Sequence, residues 1–191
     1  MNDIRSALEA AVDALPRGLR DHVLRVVEEA RRLARLHNID EERAVIAALG
    51  HDLARAASPA DLLRQADELG VPVSDIERAA PVLLHGPLGA RLMAARYGID
   101  DTDVLAAARY HTTARSGMGA LERLIYVADK TEPHKARNDA ALAEARLLAD
   151  GSLEAAMRAI LDRQVARAVE RGWPLHPDTV AARNELVLDG R

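Results

Sequence analysis

Apolar stripes of helical period dominate this chain, and several of them end in a histidine or an aspartate. Val45, Ala48, Leu49 and Asp52 fall at i, i+3, i+4 and i+7, one face of a helix with about 3.6 residues per turn. Ala44, Ala47 and His51 form the neighbouring stripe. Leu121, Leu124, Ile125 and Ala128 define another, with Asp129 at i+8, and His111 follows Val104 and Ala107-Ala108 in the same way. Such faces pack inward. A buried carboxylate without a partner is costly, so it is paired, protonated or metal-bound. Polar residues at core positions that recur near the ends of separate helices point to one shared polar centre.

The rest of the pattern is helical too, and strand signals are missing. Aromatics are 2% with no Phe, so the core must be built from Ala, Leu, Val and Ile. We expect an all-α bundle. Its helices run to about Leu15, from about Leu19 to His37, from the Asp40 cap to His51-Asp52, and from Ser58-Pro59. Ser74 with Glu77 makes a capping box. Gly86-Pro87 is expected to break the chain after His85, and Asp101 or Thr102 to cap the helix leading to His111. Leu121 to Asp129 is helical and ends at Glu132-Pro133. Asn138–Ala149, Ser152–Glu170 and a short last helix from Pro177 follow, with their charges on solvated faces. At 191 residues this is one domain.

Composition excludes several function classes. A net charge of -4 and a pI near 6.0 give no pull toward nucleic acid or anionic membrane. Tyr97, Tyr110, Tyr126 and Trp173 are too few for a single-strand stacking platform. There is no cysteine, which removes disulfides and thiolate chemistry and fits a cytoplasmic protein. Met1 to Glu9 does not read as a signal peptide, and no apolar run approaches the roughly 20 residues of a membrane span.

His22, His51, Asp52, His85, His111 and Asp129 are the candidate centre. One histidine at a helix edge is more often structural than a ligand; the set together is what points to a metal. His37 suits the negative end of its helix, and His134 and His176 have no partner at helical spacing. A nitrogen and oxygen set without thiolates suits iron, manganese, zinc, cobalt or nickel. Such an ion brings the pKa of bound water from about 15.7 to about 7, which favours phosphoester hydrolysis. Arg20, Arg55, Arg109, Lys130 and Lys135 lie beside these positions and suit phosphate oxygens. Phosphate-binding glycine loops, HExxH and a nucleophile elbow are absent.

These residues resemble a known family. His22, then His51-Asp52, then Asp129 reads like the H…HD…D signature of the HD-domain metal-dependent phosphohydrolases. His85 and His111 look like the further ligands of its six-ligand members. Leu84-His85-Gly86-Pro87-Leu88-Gly89-Ala90, His111-Thr112-Thr113, Met118, Ala128-Asp129, Glu132-Pro133 and Leu175-His176-Pro177-Asp178-Thr179 with Arg183-Asn184 narrow the resemblance to bacterial YqeK-type proteins. It covers about residues 17 to 188. It implies a single HD domain, with a motif core at about 17–135 and C-terminal helices 138–188 packed on it. It also implies hydrolysis of diadenosine tetraphosphate to two ADP.

By that resemblance His22, His51, Asp52 and Asp129 hold a divalent metal, iron before manganese, cobalt, nickel or zinc. His85 and His111 line a second ion or grip phosphate. Arg20, Arg55, Thr112, Thr113 and Lys135 serve the nucleotide, Asp52, His85 and His111 act in catalysis, and the protein forms a homodimer. Three positions depart from the family pattern: Ala114 stands where a glycine is usual, Leu19 where a basic residue is usual, and Lys135 where an arginine is usual. The expected reaction is attack of metal-activated water on a phosphorus in the middle of the bridge. The rivals are hydrolysis of nucleoside mono- or triphosphates, and nucleotide binding without turnover.

Overall fold

Small side chains set how closely the helices of this protein approach one another. The structure, a computed structural model, describes residues 2–190. Its helices are α1 (Asn2–Asp13), α2 (Arg17–Leu36), α3 (Glu41–Gly50), α4 (Pro59–Glu68) and α5 (Asp75–Ala79). A 3₁₀ turn (Pro81–Leu84) leads into α6 (His85–Tyr97), followed by α7 (Thr102–Tyr110) and α8 (Ala120–Thr131). The chain ends with α9 (Pro133–Arg137), α10 (Ala140–Ala149), α11 (Leu153–Arg171) and α12 (Pro177–Asp189). No strand occurs among the described residues, as expected. No helix among the described residues is long and apolar enough to cross a membrane.

Helix α3 is the centre of the bundle. Every residue from Ala44 to Gly50 is buried. It packs on α2, α7 and α8, and α2 and α7 also pack on α8. Ala44, Ala47 and Ala48 on α3 and Ala107 and Ala108 on α7 are fully covered, and their lack of bulk lets the axes come close. One apolar core runs from Leu8 on α1 to Leu186 on α12, and a smaller one joins α4 and α6 through Leu62, Leu84, Leu88 and Leu92. The starts of the helices follow the local chemistry. Asp40, Ser58, Ser74, Asp101, Asp139 and Ser152 each accept a backbone N–H of the following turn.

Four local expectations are corrected. Gly86-Pro87 does not break the chain: both lie in the first turn of α6. Proline is tolerated there because first-turn N–H groups have no intrahelical acceptor. Glu132-Pro133 ends α8 but at once starts the unexpected α9, with Glu132 as its cap. The last helix is thirteen residues long, not short, and the His176 ring caps it by accepting from the Asp178 N–H. The charges of the C-terminal helices are not all solvated. Arg146 reaches the buried Glu29 at 2.7 Å.

Gly86 faces the backbone of α7. A Cβ there would stand 2.5 Å from the Arg109 carbonyl oxygen. Backbone cannot rotate away as a side chain can, so α6 and α7 would have to separate. Gly86→Ala is therefore expected to destabilise the fold by about 1–3 kcal/mol, as overpacking does. A urea unfolding midpoint equal to that of the unaltered protein would show that the two helices are not locked at this point.

Candidate active site

Five helices deliver the six candidate residues to one place. His22 projects from the first half of α2. His51 and Asp52 follow the last turn of α3, His85 opens α6, His111 follows α7, and Asp129 lies in the last turn of α8. His51, Asp52, His85, His111 and Asp129 are all buried, and the His22 side chain is only 13% exposed.

Asp52 is the hub. Its Oδ1 lies 3.2 Å from His85 Nε2 and 3.6 Å from His111 Nε2. Its Oδ2 lies 3.5 Å from His51 Nε2 and 3.7 Å from His22 Nε2. Asp129 Oδ1 is 3.0 Å from His22 Nε2. One ligand atom each from His22, His51 and Asp129 lies within 4.8 Å of the others, and the same is true of His51, Asp52 and His111. Donors on one ion with bonds of about 2.1 Å sit about 3–4 Å apart, so this crowding has the scale of a coordination shell.

Ring orientation is fixed by the helix ends. His51 Nδ1 donates to the Ala48 carbonyl at 2.6 Å and His111 Nδ1 to the Ala108 carbonyl at 2.7 Å. His85 Nδ1 donates to the Val82 carbonyl in the same i−3 manner. A carbonyl can only accept, so the proton of each neutral ring sits on Nδ1 and Nε2 presents a bare lone pair. His85 Nε2 and His111 Nε2 then face each other at 3.0 Å, with the single Thr112 hydroxyl 3.1 and 3.0 Å from them. One hydroxyl proton serves only one nitrogen. His51 Nε2 is buried with no hydrogen-bond partner among the described residues. A cation satisfies all of these lone pairs together. The donor set and the unpaired His51 nitrogen fit a divalent metal.

Charge around the centre is set by burial and neighbours. Burial pushes His51 down to about 4 against the pull of Asp52 and also lowers His111, so both rings stay neutral as ligands must. Burial pushes the Asp52 carboxyl up, but the surrounding imidazoles, His51 first and then His111 and His85, outweigh it and hold it well below the usual range. Asp129 is held low in the same way, by Lys130, Lys135 and His22 against burial. Lys130 Nζ donates to Asp129 Oδ2 at 2.6 Å and to the His111 carbonyl, and Lys135 Nζ donates to Asp129 Oδ1 at 2.7 Å.

The centre lies in a cleft of about 650 Å³, which His22, Asp52, His85, His111 and Asp129 line together with Arg55, Thr112, Lys130 and Lys135. Arg55 is exposed on that wall with no ion-pair partner among the described residues. Arg20 is not part of the lining. It sits two residues before His22, about 200° around α2, and its guanidinium turns to Asp21. Thr113 borders an adjoining cavity instead. Its hydroxyl donates to the Ala114 carbonyl, and its own carbonyl accepts from Thr179 at 2.7 Å. Ala114, where the family glycine is usual, has φ 60°, the left-handed region that glycine enters without strain.

Glu132 went unread as a site residue. It is fully buried, its Oε1 lies 3.5 Å from His22 Nδ1, and its Oε2 accepts from Arg25 at 2.7 Å. A carboxylate behind a histidine orients the ring and raises its basicity as a ligand. The only local sign was its place three residues after Asp129, which reads equally well as a helix stop.

A pH effect follows. Folded His51 stays neutral to about pH 4, whereas the unfolded ring protonates near 6.5. Its contribution to stability is whole above pH 6.5 and is lost as pH falls toward 4. The depressed Asp52 and Asp129 act with the same sign further into acid. The thermal midpoint of the metal-free protein is expected to fall continuously from pH 6.5 to 4. A flat midpoint across that window would contradict a neutral, buried His51.

Comparison with known proteins gives a consistent picture. The HD domain matches residues 19–134, a span holding all six clustered side chains. A symmetrical bis(5'-nucleosyl)-tetraphosphatase from Halalkalibacterium halodurans is 34% identical over 168 residues, covering 88% of this chain and 88% of the relative. One of the same name from Bacillus subtilis is 34% identical over 166 residues, covering 87% and 88%. A crystal structure from Clostridium acetobutylicum, described as a predicted HD superfamily hydrolase involved in NAD metabolism, superposes with a TM-score of 0.91. It is 34% identical, and the match covers 96% of this chain and 97% of that one.

Proposed function

The chain belongs to the HD-domain family, and we propose that it hydrolyses diadenosine tetraphosphate at the buried histidine–aspartate centre, giving two ADP. The observation that carries this is the inward crowding of bare ring nitrogens and carboxylate oxygens, with His51 Nε2 left without any hydrogen bond. The centre is a divalent-metal site. A bound ion supplies Lewis-acid polarisation of phosphate and water made acidic enough to ionise near neutral pH. We assign it to iron, one ion or two, held by His22, His51, Asp52 and Asp129.

The protein's own groups do the rest. Arg55 and Lys135 reach the cleft from opposite sides of its chain order and suit the oxygens of the phosphate bridge. Lys130, anchored to Asp129 and the His111 carbonyl, adds a fixed positive charge where negative charge develops. Thr112 steers the Nε2 atoms of His85 and His111, which face the same wall. Water adds to one of the two central phosphorus atoms, the bond to the central bridging oxygen breaks, and each half departs as ADP. A cytoplasmic homodimer goes with this reading, and light scattering checks the assembly.

The test joins elemental analysis of freshly purified protein to product analysis. Diadenosine tetraphosphate should give ADP alone. An ATP and AMP pair, or cleavage of a monophosphate with the dinucleotide untouched, would overturn the assignment. Binding without turnover in metal-replete protein would leave only a nucleotide-binding module.

A further inference from the structure

We propose that a second cavity, walled by Trp173 and Arg167, receives the second nucleoside of the dinucleotide. This rests on the proposed hydrolysis of diadenosine tetraphosphate. The cavity measures about 340 Å³ and lies between α11, the turn before α12 and the loop after α7. Thr112 is the wall it shares with the metal cleft, and the same Thr112 hydroxyl touches His85 and His111. The two cavities therefore adjoin at the catalytic histidines. A substrate with a nucleoside at each end of a phosphate bridge needs two such spaces on either side of the bond that breaks.

The lining has the chemistry of a purine nucleotide site. Trp173 is the single tryptophan of a chain with no Phe, yet it is 52% exposed at the cavity. The guanidinium groups of Arg167 and Arg171 lie 5.8 and 5.5 Å from its ring centre. An exposed cation on an aromatic ring is held more weakly than a stacked base, so a purine can displace it. Arg167 has no carboxylate partner among the described residues, which leaves its charge for a phosphate. Gln164 accepts from Tyr126 through Oε1 at 2.6 Å, so its amide NH₂ remains to read a base edge. The cavity wall is tied down, because Thr179 on α12 donates to the Thr113 carbonyl.

An anchor for the second nucleoside also bears on central cleavage, because it fixes the number of phosphates between itself and the hydrolytic centre.

The sole tryptophan reports its own occupancy. In metal-free protein, where no turnover intervenes, diadenosine tetraphosphate is expected to quench Trp173 fluorescence saturably, and Arg167→Ala to weaken that quenching. Unchanged fluorescence at concentrations that fully inhibit or saturate the enzyme would overturn the proposal. In metal-replete enzyme, Trp173→Ala is expected to lower the preference for diadenosine tetraphosphate over adenosine 5'-tetraphosphate, measured as the ratio of kcat/KM, by about tenfold, mainly through KM of the dinucleotide. The mononucleotide keeps the four phosphates and lacks only the second nucleoside. An equal loss on both substrates would place Trp173 at the first nucleoside and overturn the assignment, as would no loss on either. If the unaltered enzyme cleaves neither substrate, the hydrolase reading fails, while the quenching experiment still decides whether the cavity binds the dinucleotide.

Discussion

Asp52→Asn is expected to lower kcat for diadenosine tetraphosphate by about a thousandfold or more while leaving the helical content of the protein intact. The reason is geometric before it is electrostatic. Asp52 lies 3.2–3.7 Å from the Nε2 atoms of four histidines through its two oxygens. Asparagine keeps the shape but exchanges one acceptor oxygen for an NH₂ and removes the negative charge. The NH₂ would donate to an imidazole lone pair that otherwise points into the centre, so that nitrogen would no longer be free for a cation.

Partners behind metal ligands cost 10- to 100-fold when removed, and a single donor to developing charge costs about 10²–10³, so loss of Asp52 as the proposed shared ligand belongs above both. Steady-state kinetics with the metal content of each preparation measures this. His134→Ala, on an exposed helix edge, serves as the control for handling and folding. If Asp52→Asn retained a tenth of normal turnover at full metal occupancy, Asp52 would not be a ligand, and the chemistry would have to be sought elsewhere in the cleft.

The position of Asp52 was legible from the sequence because a helical stripe betrays any polar residue that rides on it. The same holds for His51 and His111, whose neighbours at i−3, i−4 and i−7 are apolar, and for Asp129, which follows the Leu121, Leu124, Ile125 and Ala128 stripe. Periodicity reports which face a residue occupies, but not what stands across from it. So Arg146 on α10 reads as one more solvated charge of the C-terminal helices, although it pairs with the buried Glu29 on α2. Glu132 was hidden for a related reason: its role depends on His22, which lies 110 residues earlier in the chain. Gly86-Pro87 was misread because proline carries two local meanings, a helix stop and a helix start, and only the preceding 3₁₀ turn decides between them. Lys130 shows the limit of a stripe. It follows Asp129 by one residue, so its own face would lie about 100° away, yet its long stem folds back to reach both Asp129 and the His111 carbonyl.

Removal of the metal is expected to abolish hydrolysis and to lower the thermal midpoint by about 5–10 °C, both restored by adding back a divalent ion. The stability change follows from the packing of the centre rather than from binding in general. Without a cation, His85 Nε2 and His111 Nε2 face each other at 3.0 Å, and His51 Nε2 has no partner. The Thr112 hydroxyl can serve one of these acceptors, and the others cost desolvation energy that no protein donor returns. An ion bound only by the folded protein and present at 100 times its Kd contributes about 2.7 kcal/mol, which for a chain of this length is about 2–4 °C per kcal/mol. The unfolded chain offers no competing site, because the six side chains come together only through the packing of five helices. Differential scanning calorimetry before and after dialysis against a chelator measures the shift. If the midpoint stayed put while the ion left and activity vanished, the imidazoles would be relieved by local rearrangement, and the rigid preorganised shell inferred from the Nδ1–carbonyl hydrogen bonds of His51, His85 and His111 would be wrong.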